Sequence, residues 1–197
     1  MPKGIPLTDE GLNRRRHEIF AAAARLFLEK GFIETSMREV AEAAGMGKSS
    51  LYDYFRTKDD ILLWYFLDDA EDMTALAREI SLQPIPAIEK LHRILHKQME
   101  RMLENKRFYL RFLAEVQRLG ADSRRRIRLK RHAYQDLLCE IVEQGIREGA
   151  FRPVNTLLAT HMLQMTLMPP AFSSRPIGTP EEMLDQALDL FLGGVQA

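Results

Sequence analysis

The sequence predicts an all-α fold. Three observations carry this. From Asn13 almost to the end, apolar residues recur three and four apart, the period of one helix face. Helix-start signatures punctuate the chain at "SMRE", "TKDD" and "TPEE", each a Ser or Thr followed three residues later by an acid. No stretch alternates like a strand for more than a few residues. The spacing gives about nine helices.

Residues 1–12 carry Pro2, Gly4, Pro6 and Gly11 without periodicity and are expected to form a flexible arm. The first helix starts at Asn13, carries Ile19, Ala23, Leu26 and Phe27 on one stripe, and closes at Gly31. Ser36 and Glu39 open the second, which Gly45 interrupts; a third covers Lys48 to Tyr54. Thr57 caps a fourth, expected to run to about Ile80. Its "ILLWYFL" is apolar all round, so it is covered on several faces.

"SLQPIP" breaks the chain at 81–86. A fifth helix then carries Ile88, Leu91, Leu95, Met99, Met102 and Leu103, and a sixth covers 107–119. After "GADS", a long seventh carries Ile127, Tyr134, Leu138, Ile141 and Val142 and ends at Gly149. An eighth runs from Val154 to Pro169-Pro170, and a ninth follows Thr179.

Composition narrows the function. In 197 residues, 46% are hydrophobic and 28% charged, which is globular. The formal net charge is +0, so any basic footprint must be local. The one cysteine, Cys139, excludes an intrachain disulfide and fits a reducing compartment. The first residues lack an apolar run of signal-peptide length. The longest apolar run, at 61–67, falls far short of the ~20 residues that span a bilayer. A cytoplasmic protein with no membrane partner is expected.

"GMGKSS", at 45–50, poses the main question. A phosphate loop needs Gly-x-x-x-x-Gly-Lys-Ser/Thr after a buried strand. Here Glu42 stands where the first glycine belongs, and the helical "REVAEAA" precedes it. An anion at that point opposes phosphate binding. A helix-turn-helix needs a small residue where its helices cross and a flexible one in the turn; Ala41 and Gly45 supply them. Val40, Ala44, Met46, Leu51 and Tyr54 or Phe55 fall at its core positions. Lys48, Ser49, Ser50 and Asp53 fall on the outer face, small and polar enough to approach a major groove. Residues 13–58 hold nine Lys and Arg against six acids, a local +3.

"AAARLFLEKGFIETSMREVAEAAGMGKSSLYDYFRTKDDIL" resembles the N-terminal domain of the TetR family of bacterial transcription regulators (TetR/AcrR type). "LFLEKGF", "LYDYF" and "TKDDIL" fall in register; Gly47 departs from the usual Ser or Thr cap of the recognition helix. The resemblance implies a DNA-binding domain at 13–73 with its motif at about 36–55, and an effector-binding and dimerisation domain at 74–197. It implies phosphate contacts from Thr35, Ser36, Lys48, Tyr52, Tyr54 and Lys58, and base-edge contacts from Arg38, Ser49 and Ser50. The expected partners are operator DNA, a second copy of the chain and a small hydrophobic effector that releases a repressor.

Beyond residue 73 only patterns guide the reading. Met99, Met102, Leu103, Phe108, Phe112, Val116, Tyr134, Leu138, His161, Met162 and Met165 are expected to line an effector pocket, since methionine adapts to varied apolar ligands. Met183, Leu184, Ala187, Leu188 and Phe191 on the last helix form a stripe expected at the dimer interface. "RRRIRLKR", at 124–131, puts six basic residues at a helix start; Arg125 or Arg128 is expected to pair with Asp69 or Asp72. His92 and His96 are four apart, but spacing offers no third ligand, so neither metal nor cofactor is expected. No nucleophile–base pair or catalytic carboxylate pair stands out, so no enzyme is expected. The rival readings are a nucleotide-binding enzyme at "GMGKSS" and a helical interaction module that never meets DNA.

Overall fold

The computed structural model describes residues 8–195, the side chains of Leu110 and Leu113 excepted. Ten helices and no strand occur among the described residues. They are α1 (Asp9–Lys30), α2 (Met37–Ala43), α3 (Lys48–Tyr52), α4 (Lys58–Ser81), α5 (Ala87–Glu104), α6 (Lys106–Val116), α7 (Ala121–Arg147), α8 (Thr156–Met165), α9 (Met168–Phe172) and α10 (Pro180–Val195).

Two boundaries differ from the sequence reading for local reasons. Of the expected arm, residues 1–7 lie outside the described residues, but Thr8 caps a helix that already begins at Asp9. Its hydroxyl accepts from the Gly11 amide at 3.2 Å, and Asp9 and Glu10 occupy the positive first turn. The expected eighth helix is two. α8 stops at Met165, and α9 places Pro169 and Pro170 near its start, where a missing N–H costs nothing. The capping boxes form as expected: the Glu182 amide donates to Thr179 Oγ1 at 3.2 Å, and the Thr179 amide donates to Glu182 Oε2 at 2.8 Å.

The chain forms two compact units. The first holds the described residues up to Phe66 together with Leu110–Arg124; the second holds Leu67–Tyr109 and the described residues from Arg125 on. The core of the first is Ile19, Ala23, Phe27, Val40, Leu51, Phe55, Ile61 and Leu62. Phe112 joins it from α6, with its ring centroid 5.7 Å from that of Phe27. Leu119 is buried too, and Arg111 donates to the Leu28 carbonyl at 2.9 Å.

In the second unit, Leu91, Ile94, Leu95 and Met99 of α5 pack with Tyr134, Leu138 and Ile141 of α7, Leu163 of α8, and Leu184 and Leu188 of α10. Lys90 is buried with them, its ammonium donating to the Ser81 carbonyl at 2.6 Å and to Gln144 Oε1 at 2.9 Å. Those bonds offset the desolvation of a buried cation.

Gly145 is a point of close approach on α7. A Cβ there would lie 2.2 Å from two ring carbons of Phe151, which is itself buried. The Phe151 and Ala150 amides both donate to the Gly145 carbonyl, at 3.1 and 2.9 Å, so the ring cannot withdraw without loosening that turn. Gly145→Ala is therefore expected to destabilise by about 1–3 kcal/mol despite the better helix propensity of alanine. At about 2–4 °C per kcal/mol for a chain of this size, thermal denaturation will read the change. Adding Phe151→Leu should recover part of the stability; a single Ala variant as stable as the parent would refute the contact.

Candidate nucleic-acid interface

α2 ends where its backbone must reverse. The Met46 amide donates to the Ala41 carbonyl at 3.0 Å and the Gly45 amide to the Glu42 carbonyl at 3.1 Å. This crossed pair places Gly45 at φ 63°, a left-handed conformation that glycine reaches without a Cβ clash. The turn lets α3 cross α2 at the small Ala41, which is buried with Val40, Leu51 and Phe55. Ala44, Met46 and Tyr54, also expected in this core, are half-buried at its margin.

The start of α3 faces outward. Gly47, Lys48, Ser49 and Ser50 are all exposed, whereas Leu51 is completely buried. Gly47 holds the cap position with an extended backbone and no side-chain hydrogen bond, so the first amides of α3 have no internal side-chain acceptor. Lys48 Nζ stands 5.8 Å from the Tyr52 ring centroid, and Tyr52 is 43% exposed. An exposed cation, two hydroxyls and a phenol on one short helix suit a polyanion with readable base edges.

Two of the remaining expected contact residues, Ser36 and Arg38, are placed by α2. Ser36 caps it: its hydroxyl accepts from the Glu39 amide at 3.3 Å, and its amide donates to Glu39 Oε2 at 2.8 Å. Lys30 also pairs with Glu39, and these hydrogen bonds hold the Glu39 carboxyl well below the usual range, at about 2. Arg38 is exposed and donates from Nε to Glu42 Oε1 at 2.8 Å, a surface pair that solvent weakens and that a phosphate or base edge can displace.

Two expected contacts are corrected. Thr35 is buried and its hydroxyl donates to the Gly31 carbonyl at 2.7 Å, so its side chain fastens the α1–α2 turn. Lys58 is half-buried, and its ammonium donates to the Phe32 carbonyl and, at 2.8 Å, to that of Ile33. Arg56, counted in the local +3 but not among the expected contacts, is an exposed cation between α3 and α4. Its position directly after "LYDYF" was the available signal.

The pocket and dimer readings are also redrawn. Met99, Met102, Tyr134 and Leu138 are buried in the core of the second unit, with Leu103 packed against it, and Phe108 is buried. Phe112 and Val116 belong to the first unit. His161, Met162 and Met165 point outward, with Met162 56% and Met165 60% exposed, because α8 buries Ala159, Thr160 and Leu163 instead. On α10, Met183, Leu184 and Leu188 are buried within the chain itself, and Ala187 and Phe191 are half-buried. The large apolar side chains that these two helices leave exposed are Leu157, Leu158, Met162 and Met165 on α8 and Leu190 on α10.

The acidic run also pairs differently. Asp69 and Asp72 take the Arg101 guanidinium at 3.0 and 3.2 Å, and Lys130, not Arg125 or Arg128, reaches Glu71 at 3.0 Å. The Tyr109 hydroxyl donates to Asp69 at 3.4 Å; burial, more than that carboxylate, raises its pKa far above the ordinary tyrosine value. No helix among the described residues is long and apolar enough to cross a membrane.

A turn-linked helix pair with its second helix presented to solvent, set before a larger helical unit, defines a DNA-binding transcription regulator and not an enzyme. The chain belongs to the TetR family: "Bacterial regulatory proteins, tetR family" matches residues 19–64, and "Tetracyclin repressor-like, C-terminal domain" matches 84–195. It is similar to the HTH-type transcriptional repressor KstR2 of Mycobacterium tuberculosis, 29% identical over 191 residues, 93% of this chain and 94% of that protein. The solved structure of KstR2 from that organism matches with TM-score 0.70 and 28% identity over 93% of this chain and 95% of the other. FadR of Bacillus subtilis, solved with stearoyl-CoA, shares the fold with TM-score 0.77 at 21% identity, covering 91% and 99%.

Proposed function

We propose that this chain is a homodimeric repressor that holds a near-palindromic operator and releases it on binding a small hydrophobic effector. The observation that carries the reading is the start of α3, where Lys48, Ser49 and Ser50 are exposed beside a fully buried Leu51. Residues 13–73 serve DNA; residues 74–197 serve the effector and the second subunit. In this reading Ser36, Lys48, Tyr52 and Tyr54 contact phosphates, and Arg38, Ser49 and Ser50 face base edges. Two copies of α3 then meet half-sites about one helical turn, or a multiple, apart.

The experiment is selection of bound fragments from genomic DNA by the purified chain, followed by affinity measurement across salt concentrations. Lys48→Ala should weaken every sequence alike and reduce the salt slope by about 0.9 for each phosphate no longer neutralised. Ser50→Ala should change the preferred sequence instead. Failure to enrich any fragment, or a Lys48→Ala variant that alters specificity at an unchanged salt slope, defeats this assignment.

For the effector, the supporting feature is the interior of the second unit. There Met99 and Met102 lie in the same core as Tyr134, whose buried hydroxyl donates to Oε1 of the half-buried Gln98 at 2.7 Å. Flexible thioethers give way to an apolar ligand, and the pair offers it an orienting contact. Coenzyme A thioesters belong in the ligand panel, since FadR of Bacillus subtilis was solved with stearoyl-CoA and AibR with isovaleryl coenzyme A and operator DNA.

A further inference from the structure

Within the second unit, α5 and α10 bring together three side chains that spacing alone could not associate. His92 and His96 stand one turn apart on α5, their rings nearly parallel at 17° with centroids 6.2 Å apart. Asp185 arrives from α10, its Oδ1 2.8 Å from His96 Nε2. One donor atom from each residue lies within 4.8 Å of the other two. Both histidines are half-buried and Asp185 is exposed. The histidines border an open groove of about 410 Å³ whose wall includes Leu76 and Ile80.

We propose that His92, His96 and Asp185 form a binding site for a divalent transition-metal ion of the zinc class. Two imidazole nitrogens and one carboxylate oxygen match borderline ions such as Zn²⁺, Co²⁺ and Ni²⁺, whereas Mg²⁺ and Ca²⁺ require mostly oxygen donors. Histidines four apart on a helix face one way, the arrangement that chelates zinc in helical sites. With bonds of about 2.0–2.2 Å, ligand atoms around one ion lie roughly 3–3.5 Å apart. Small side-chain rotations close the observed spread to that size, because Asp185 is exposed and the rings are only half-buried. The remaining coordination positions face the groove and take water.

The charges nearby permit a cation. Arg93 and Lys97 also border the groove, but each is directed elsewhere. Arg93 pairs with Glu89 and donates to Gln83 Oε1 at 2.9 Å. Lys97 donates to Glu100 Oε2 at 2.7 Å. With Asp185 counted, the five charged residues among these carry three negative charges against two positive. A hydrogen bond between His96 and Asp185 accounts for two members of the cluster and leaves His92 unexplained; a shared ion accounts for all three. Such an ion would join α5, whose inner face is core, to α10.

The test uses the full chain without a histidine tag and does not depend on DNA. Cobalt and zinc are titrated in turn, read by cobalt d–d absorption, calorimetry and thermal denaturation. The expected result is one ion per chain, a melting temperature that rises with zinc, and weakening of at least tenfold in His92→Ala, His96→Ala and Asp185→Asn. His92→Ala/His96→Ala should bind no ion at this site while keeping the parent's helical circular dichroism. If that double variant misfolds, Asp185→Asn decides, because it preserves side-chain shape. Absence of any metal-dependent heat, absorption or thermal shift overturns the site. So does binding that persists undiminished in the double variant or, where that variant misfolds, in Asp185→Asn.

Discussion

Met162→Glu is expected to leave a folded monomer that no longer retains operator DNA. Met162 is 56% exposed in the single chain and lies on α8 with Leu158 and Met165, at i−4 and i+3, which are also exposed. Leu190 on α10 is 81% exposed. Such a strip is out of place on a surface that faces only water. In a two-fold interface each substituted position recurs in the partner, so one glutamate per chain puts two buried carboxylates into an apolar contact. The chain itself tolerates the change, because the side chain already points outward. With one recognition helix instead of two, operator affinity should fall by at least ~100-fold through loss of bivalent binding. Leu129→Glu is the control: Leu129 is similarly exposed, at 57%, but lies on α7. A Met162→Glu protein that stays dimeric by light scattering, with parental operator affinity, removes α8 from the interface.

The features legible in the sequence rest on local physics. Capping boxes at Ser36 and Thr179, the breaking turn at Gly45 and the buried positions of Val40, Leu51 and Phe55 follow from neighbours a few residues apart. The start at Asp9 is not legible from apolar periodicity: Thr8 as cap and Asp9 and Glu10 in the first turn set it, and Gly11 there costs only about 1 kcal/mol. The break after Met165 is not legible, and Pro169-Pro170 give a false end, because proline ends a helix in its interior but opens one in its first turn.

Registers on the C-terminal helices were harder. α8 is apolar on more than one side, so periodicity could not say whether Thr160 and Leu163 or Met162 and Met165 face inward. The structure buries Thr160, near Cys139 Sγ at 3.3 Å, and leaves the methionines out. α10 shows the converse error, since Leu184 and Leu188 were assigned to a partner although their own chain requires them. Contacts distant in sequence were not legible: Asp185 beside His96, Arg101 between Asp69 and Asp72, and the second half of α6 within the first unit.

That last placement separates two accounts of Phe112. Counted among the residues of an effector wall, Phe112→Ala would give a stable, DNA-competent protein that responds poorly to its effector. The structure assigns it another task. Phe112 is 1% exposed, with ring centroids 5.7 Å from Phe27 and 6.3 Å from Phe32, and those two rings stand 4.9 Å apart. Phe27 is the last buried residue of α1, and Phe32 receives Lys58 over its face at 4.9 Å. Removing the ring therefore opens a cavity beneath the turn that leads into α2. Phe→Ala changes at such sites cost about 3–5 kcal/mol. For a chain of this size that corresponds to a fall of roughly 6–20 °C in Tm. Phe112→Leu, which keeps most of the volume, should be much less destabilised. Operator affinity should fall with the stability of the first unit, in the absence of any effector. A Phe112→Ala protein with parental Tm and operator affinity but a blunted effector response would return Phe112 to the pocket and contradict the packing of α6 against α1.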